Sequence, residues 1–257
     1  MKQLRRMPTS GFTLIELITV IVILGVLASA ISTFIKFGTQ IYSETTARDQ
    51  LVSSARFAIE RLNREVRNAL PNSLRLTNTN GGRCLEFTPI IENTIYTDIP
   101  VIPEMPKEPV NTIDVIKFDE AFDANWNAVV YPLSSDDVYG NNGKVHSVVD
   151  INDHAVDSNQ KVITLGDDDA LFAENSPTQR LYFINGTVEY CLLNNTLTRN
   201  AILMAQNIHN LASPLDPPFE VLAATLQRNA MVQIHLRFEK HNEQVTFNNE
   251  VQVLNVP

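Results

Sequence analysis

The chain has 257 residues, of which 44% are apolar, so it is long enough to bury a substantial core. Residues 1–11 carry three basic side chains, Lys2, Arg5 and Arg6, and the remainder holds 17 basic and 29 acidic residues, a net charge of −12. An acidic chain of this kind lacks the clustered Lys and Arg that bind a phosphate backbone, so no nucleic-acid partner is expected.

The first 35 residues combine a basic leader with a long apolar segment. Residues 12–35 contain a single ionisable side chain, that of Glu16. Twenty-four helical residues span about 36 Å, which is enough to cross a hydrocarbon core of about 30 Å. Because basic flanks stay in the cytoplasm, everything after Ile35 is expected on the far side of the membrane.

Glu16 is the unusual residue of this segment. A carboxylate within an apolar helix costs about 2.5 to 3.5 kcal/mol of insertion free energy, so it calls for a partner. Cleavage between Gly11 and Phe12 would create an amino group four residues before Glu16, in the same subunit or a staggered neighbour. The alternative is that Glu16 lies at the water interface, where the positive end of the helix dipole favours acids.

Residues 11–16, Gly-Phe-Thr-Leu-Ile-Glu, and the apolar run behind them resemble the N-terminal signature of type IV prepilins and type II secretion pseudopilins. The resemblance implies that a prepilin peptidase cuts after Gly11 and that the new amine of Phe12 is methylated. It also implies that Glu16 guides assembly with other pilins through the N-terminal helix. Many major pilins have a proline in this helix, whereas none lies between Pro8 and Pro71 here.

A rival processing site lies further along the apolar segment. Ala28, Ser29 and Ala30 form an A-x-A pattern, and cleavage there would release a soluble domain that begins at Ile31. This alternative leaves Glu16 without an explanation.

Beyond the membrane segment the pattern is that of an amphipathic helix. Apolar residues recur at spacings of three and four: Ile41, Leu51, Ala55, Ala58, Ile59, Leu62, Val66, Ala69 and Leu70. The spacing predicts a helical stem over residues 36–70, ended by Pro71 and packed on the domain that follows. A dimeric coiled coil is the alternative, but strict heptads are not sustained. Glu60 and Arg64 have the spacing of an ion pair.

Residues 71–257 are predicted to form a β-rich globular domain. Short β-branched or aromatic runs predict strands at 83–89, 112–118, 161–165 and 180–184. Asn185-Gly186 predicts a hairpin between 181–184 and 187–191, followed by a third strand at 196–199. A final hairpin is expected from 232–238 and 245–253. The predicted fold class is α+β, a long N-terminal helix packed on antiparallel sheets, as in pilins.

Two segments are predicted as irregular loops, 100–109 for its four prolines and 134–160 for its Asp, Asn, Ser and Gly. Oxygen ligands in and after the second loop raise Ca²⁺ binding as an alternative: Asp150, Asn152, Asp153, Asp157 and Asp167 to Asp169. The absence of EF-hand spacing favours solvated acidic loops, so no metal or cofactor is expected.

Cys84 and Cys191 are the two cysteines. An even count in a domain placed outside the cytoplasm favours one disulfide between them, and two buried thiols are the alternative. The sequence holds no nucleophile elbow, zinc-protease motif, phosphate-binding loop or Cys-x-x-Cys, so no catalysis is expected. A membrane-anchored enzyme with scattered Ser, His and Asp converging in space remains the alternative.

Residues 82–87, 190–199 and 251–257, with the stem at 56–67, resemble the O-type minor pilins of mannose-sensitive haemagglutinin (MSHA) pili. The resemblance implies a low-copy subunit of a Gram-negative bacterium, held in the inner membrane with a periplasmic domain and then moved into the pilus. A J-type minor pseudopilin of type II secretion is the nearest alternative. A membrane-anchored extracytoplasmic binding module is the alternative of another class.

Overall fold

The computed structural model describes residues 11–79, 82–102, 110–119, 122–167, 170–210, 217–225, 228–240 and 243–253. Contacts between residues divide the chain into two units, Met1–Asp49 and Gln50–Pro257. The fold is α+β, as predicted, with a long N-terminal helix followed by antiparallel β-sheets.

Helix α1 runs from Leu14–Arg67, 54 residues without an internal proline. It ends three residues before the predicted end at Leu70, where Ala69 forms an isolated bridge with Pro89. Within the first unit, residues 11–45 are all exposed to solvent, although most of them are apolar. The helix is therefore built from two parts with different surroundings.

In the second unit the predicted apolar stripe of α1 is buried: Leu51, Ala55, Ala58, Ile59, Leu62 and Val66. These side chains pack in one core with residues of the sheets. The prediction was wrong for Ile41, which is 61% exposed because it precedes the β-rich unit. The ion pair on this stretch joins Arg61 to Glu65, one residue along from the predicted pair.

The described residues contain fourteen strands and a second, short helix α2, Ser135–Tyr139. The strands are β1 Arg75–Thr79, β2 Gly82–Phe87, β3 Ile90–Asp98, β4 Thr112–Ile116, β5 Asn127–Val130, β6 Val145–Asp153, β7 Gln160–Leu165, β8 Arg180–Ile184, β9 Val188–Leu193, β10 Thr196–Arg199, β11 Ile202–Gln206, β12 Phe219–Leu222, β13 Ala230–Lys240 and β14 Glu243–Val253.

Strands β1 to β14 form three sheets in the described part of the chain, and all pairs of these strands are antiparallel. One has five strands in the order β1-β2-β9-β10-β11, one has three strands in the order β12-β13-β14, and β3-β4-β7-β6-β5-β8 close into a barrel. The first two sheets share a core with α1, whereas the barrel encloses a core of its own that includes Phe172 and Phe183. A small third cluster contains Leu70, Val129 and Tyr182 and joins the barrel to the end of the helix.

The barrel is an insertion between two strands that pair with each other. Strands β2 and β9 are neighbours, and the chain leaves after Phe87 to form the barrel and returns at Val188, its register partner. Residues 90–184 hold 17 acidic and five basic residues, a net charge of −12. This equals the net charge of the whole chain after residue 11, so the residues after 11 that lie outside 90–184 have no net charge.

The predicted Asn185-Gly186 hairpin is wrong. β8 pairs with β3 and β5 in the barrel, while β9 pairs with β2 and β10 in the five-stranded sheet. A tight type I′ turn needs positive φ at both central residues, and here only Gly186 has it, at +75°. The dipeptide therefore carries the chain from the barrel back to the sheet.

The other predicted hairpins are present. Asn194 and Asn195 both have positive φ and join β9 to β10, as a two-residue turn requires. β13 and β14 pair over their full length, from Ala230 opposite Val253 to Lys240 opposite Glu243. The turn between them, at 241–242, lies outside the described residues.

The prediction of an irregular stretch over 134–160 is also wrong, because it contains α2 and the nine-residue strand β6. β6 turns Val148 into the barrel and exposes polar residues such as Asp150 and Asp153, so its composition is that of a solvated strand. In the predicted proline-rich loop, residues 103–109 lie outside the described residues.

Candidate functional site

Gly11, Phe12 and Thr13 form a short non-helical segment ahead of α1. All three are exposed, with Phe12 at 81%, and a Cβ atom added to Gly11 would meet nothing within 4 Å. The peptide bond between Gly11 and Phe12 is thus accessible and outside the helical hydrogen-bond ladder.

Thr13 caps the helix at its N-terminus, which places Glu16 in the first turn. The backbone N–H of Leu17 donates to the Thr13 carbonyl at 3.2 Å, and the N–H of Glu16 donates to Thr13 Oγ1 at 3.4 Å. Sequence reasoning missed this cap, although Thr-x-x-Glu is the pattern of a capping box. Glu16 is therefore one turn from Phe12, where the helix dipole also favours a carboxylate.

The helix that follows is long and apolar enough to cross a membrane, by length and composition. Its most apolar stretch of 18 residues is entirely unburied. The polar hydroxyls within it are satisfied by the helix itself: Thr19, Ser29, Ser32 and Thr33 each donate to a carbonyl three or four residues earlier, at 2.7 to 3.0 Å. Internal pairing of this kind suits a segment placed in lipid.

The prokaryotic N-terminal methylation motif matches residues 6–32. It is a type IV pilin-like signal. The match covers Gly11, Phe12 and Glu16, while residues 6–10 lie outside the described part of the chain. With the exposed apolar helix, it indicates a membrane-anchored, pilin-like protein, and the motif implies processing by a prepilin peptidase and pilin assembly. No curated protein and no solved structure matches the chain.

Cys84 and Cys191, the pair predicted from sequence, are joined in a disulfide. The two residues face each other across β2 and β9, the strands from which the barrel emerges. Glu189 lies beside them, and these three form the one group of potential metal ligands among the described His, Cys, Asp and Glu residues. Because the sulfurs are bonded to each other, this group is a cross-link between strands and not a metal centre.

No three of the described acids proposed as Ca²⁺ ligands lie close enough to one another to share an ion. Asp153 pairs with Lys117 Nζ at 3.2 Å, and Asp150 accepts a hydrogen bond from Asn152 Nδ2 at 2.7 Å. Asp168 and Asp169 lie outside the described residues. Asp150 and Asp153 are both exposed on β6.

Sequence reasoning also missed a polar network around Glu65 that joins α1 to the five-stranded sheet. Glu65 Oε1 lies 2.9 Å from Arg61 Nε, and Oε2 lies 2.8 Å from Arg199 Nε on β10. The hydroxyl of Tyr190 on β9 donates to the same Oε2 at 3.0 Å. The i, i+4 spacing of Arg61 and Glu65 could have predicted that pair. Tyr190 and Arg199 lie more than 120 residues from Glu65, and no sequence pattern indicates their contacts with it.

The network shifts the titration of its members. Burial by itself would raise the pKa of the Glu65 carboxyl, but hydrogen bonds from Arg199, Arg61 and Tyr190 outweigh it and hold the pKa below its ordinary value of 4.5. Burial, followed by the adjacent Glu65 charge, raises the pKa of Tyr190 well above its ordinary value. Glu65 is therefore ionised and Tyr190 neutral at physiological pH, which is the state that this hydrogen-bond pattern needs.

A second contact group fixes α2 to β1 and β2. The Arg75 guanidinium lies 3.7 Å from the centre of the Tyr139 ring, and Arg75 Nε pairs with Glu86 Oε2 at 2.7 Å. Tyr139 donates its hydroxyl hydrogen to the Ser73 carbonyl at 2.8 Å, and burial raises its pKa to about 12. These contacts join α2, which lies within the inserted segment 90–184, to strands β1 and β2 of the five-stranded sheet.

Proposed function

We propose that this chain is a minor pilin, processed by a prepilin peptidase between Gly11 and Phe12 and methylated at Phe12, that is assembled into or primes an MSHA-type type IV pilus. The observation that carries the proposal is the methylation motif at the head of an exposed apolar helix that contains Glu16 as its sole ionisable residue over 12–35. The host is a Gram-negative bacterium, by resemblance to that class of minor pilins.

The mechanism follows from the charges of the N-terminus. Before assembly the helix lies in the inner membrane, with the β-rich part in the periplasm. Removal of the leader frees the amine of Phe12, and its positive charge can neutralise Glu16 of a neighbouring subunit in a low-dielectric bundle of helices. Assembly then depends on processing, and the protein acts by docking and not by catalysis.

The size and the insertion support a minor subunit. Removal of 11 residues from 257 leaves 246, which is large for a repeating subunit, and the helix has no proline kink. The barrel adds a folded module with its own core to one subunit. A repeated subunit would have to accommodate that module at every position of the filament.

Two other functions are kept as candidates. A J-type pseudopilin of type II secretion would share the same N-terminal signal, and the genes beside this one would separate a pilus operon from a secretion operon. The inserted barrel favours a second role as a membrane-anchored binding module. Binding of a surface or glycan by the full chain, without incorporation into filaments, would support that role.

The experiment compares Glu16→Leu with Ile15→Leu as the matched control, both expressed in the native host that lacks the wild-type gene. We expect both variants to be processed and anchored, and only Glu16→Leu to disappear from the sheared filament fraction. Equal amounts of the two variants in that fraction would refute the assembly role of Glu16.

A further inference from the structure

The stem part of α1 has an exposed face opposite its buried stripe. We call this the arginine face, defined by Arg56, Phe57, Glu60, Arg64 and Arg67. At 100° per residue these positions fall within about 100° of one another, on the side away from the core. Phe57 is 60% exposed, and the four charged residues are exposed as well.

The positive charge of the arginine face is not neutralised within the described part of the chain. Arg61 and Arg199 both pair with Glu65, and among the described residues no ion pair joins Arg56, Arg64 or Arg67 to an acid. Three arginines against one glutamate leave a net charge of +2. Arginine beside an exposed aromatic ring is the composition of interface hot spots.

A shallow groove adjoins the same face. Glu60, Asn63, Arg64, Arg67 and Asn68 line a depression of about 550 Å³. Side chains of a docked surface can enter this groove and place carboxylates beside Arg64 and Arg67. The groove and the cations therefore point to an acidic occupant.

The strongest negative charge on the molecule is that of the barrel. Its 17 acidic residues outnumber five basic ones, while the rest of the mature chain is neutral. Two of the five basic residues form ion pairs within the barrel: Lys144 Nζ lies 2.6 Å from Glu174, and Lys117 pairs with Asp153. Two barrels would repel each other, whereas a barrel and an arginine face attract.

We propose that the arginine face docks on the acidic barrel of a second copy of this chain. The inference rests on the proposed function, because it names a contact between assembled subunits. The contact joins a different surface of each copy, so two adjacent copies are enough to form it. At least two copies then lie side by side in the assembly.

The first test replaces Phe57 by the photo-cross-linker p-benzoylphenylalanine in the full-length chain, expressed with a differently tagged wild-type copy. Ile202, an apolar residue of the neutral part that is 66% exposed, serves as the control position. We expect position 57 to cross-link into residues 90–184 of the second copy, located by peptide mass spectrometry, and position 202 not to do so.

The second test reverses the charges with Arg56→Glu, Arg64→Glu and Arg67→Glu together, and uses Arg83→Glu on the exposed surface of β2 as the control. The triple variant is expected to reduce the cross-link from position 57 at least about tenfold, and 500 mM NaCl to weaken it in the purified full chain, because rim charges are screened by salt. Thermal unfolding verifies that both variants are folded.

Cross-links confined to α1 of the second copy, cross-links to a different envelope protein alone, or an unchanged yield in a folded triple variant would each overturn the proposal. These results leave the proposed function intact, because cleavage at Gly11 and the effect of Glu16→Leu are measured separately. Failure of cleavage would instead refute the proposed function.

Discussion

At the residue scale, Gly11 allows the requirements of the fold to be tested separately from those of the proposed cleavage. It lies outside the helix, and an added side chain would meet nothing within 4 Å. We therefore expect Gly11→Val to leave folding unchanged while it blocks removal of the leader. Gly38→Ala is the matched control, since Gly38 is equally unobstructed but distant from the cleavage site.

The measurement is the mass of the chain in membrane fractions, together with its thermal unfolding. Full-length mass for Gly11→Val and processed mass for Gly38→Ala are the expected results. Normal processing of Gly11→Val would show that the glycine is not read at the cleavage site.

Glu65 gives a residue-scale prediction about stability. Glu65→Gln removes the charge that holds Arg199 and Arg61, and we expect a loss of about 2 kcal/mol in the free energy of unfolding, because partly buried charged partners lose their hydrogen bonds. Chemical denaturation of the full chain in detergent measures this. Glu60→Gln, on the exposed side of the same helix, should cost no more than about 0.5 kcal/mol.

The same residue predicts a pH dependence. The folded pKa of Glu65 is below the unfolded value, so its stabilisation is present above about pH 4.5 and is lost as the pH falls through the folded pKa. Between pH 6 and pH 3, the free energy of unfolding of the wild type should fall by more than that of Glu65→Gln. Parallel pH profiles of the two proteins would contradict the role of the Glu65 network.

At the element scale, the sequence predicted those elements whose signal is local. The stem of α1 has buried apolar residues in every turn, at the spacing of a helix. The turn at Asn194-Asn195 needs positive φ at two adjacent residues, and asparagine tolerates it. The hairpin at Asn185-Gly186 failed because strand partners are chosen by the barrel as a whole, and a favourable dipeptide does not select them. β6 was missed because its outward face is as polar as a loop.

The candidate site also contains features that local sequence predicts and features that it does not. The N-terminal signal was predictable because six adjacent residues carry it, and the Thr13 cap could have been found in the same segment. The contacts of Glu65 with Tyr190 and Arg199 were not predictable, since they depend on how β9 and β10 are placed on the helix. The disulfide was predictable because the chain has two cysteines in a domain that is expected outside the cytoplasm.

The disulfide gives the prediction for this scale. It closes a separation of 107 residues at the strands from which the barrel emerges. Cys84→Ser with Cys191→Ser should lower the free energy of unfolding by about 2 to 5 kcal/mol, largely because the unfolded chain gains freedom. Denaturation of the double variant, compared with the wild type with and without reductant, measures the change.

Reduced wild type and the double variant should be destabilised to a similar extent. Equal stability of reduced and oxidised wild-type protein would contradict a stabilising role for the cross-link.

At the scale of the whole molecule, the chain consists of the acidic inserted barrel, residues 90–184, and a neutral remainder after residue 11, here called the pilin-like part. The strands that flank the insertion are register partners at Phe87 and Val188, so the barrel can be replaced by a two-residue turn. We expect a variant with Asn-Gly in place of residues 88–187 to fold, to keep the Cys84–Cys191 disulfide and to enter the membrane. Some stability is lost, because Leu70 loses its contacts with the barrel.

Thermal unfolding and disulfide mapping of this variant in detergent provide the test. A cooperative transition with the disulfide intact would show that the rest of the chain folds without the barrel. Absence of a folded state would show instead that the barrel is required for the pilin-like part to form.

We interpret residues 11–16 as a prepilin signal, and the first residue of the mature chain distinguishes this interpretation from other processing. Mass spectrometry of the chain purified from its native membrane should find a first residue of methylated Phe12. A mature chain that begins at Ile31, or one that retains its leader in cells with an active prepilin peptidase, would show that residues 11–16 are not a prepilin signal.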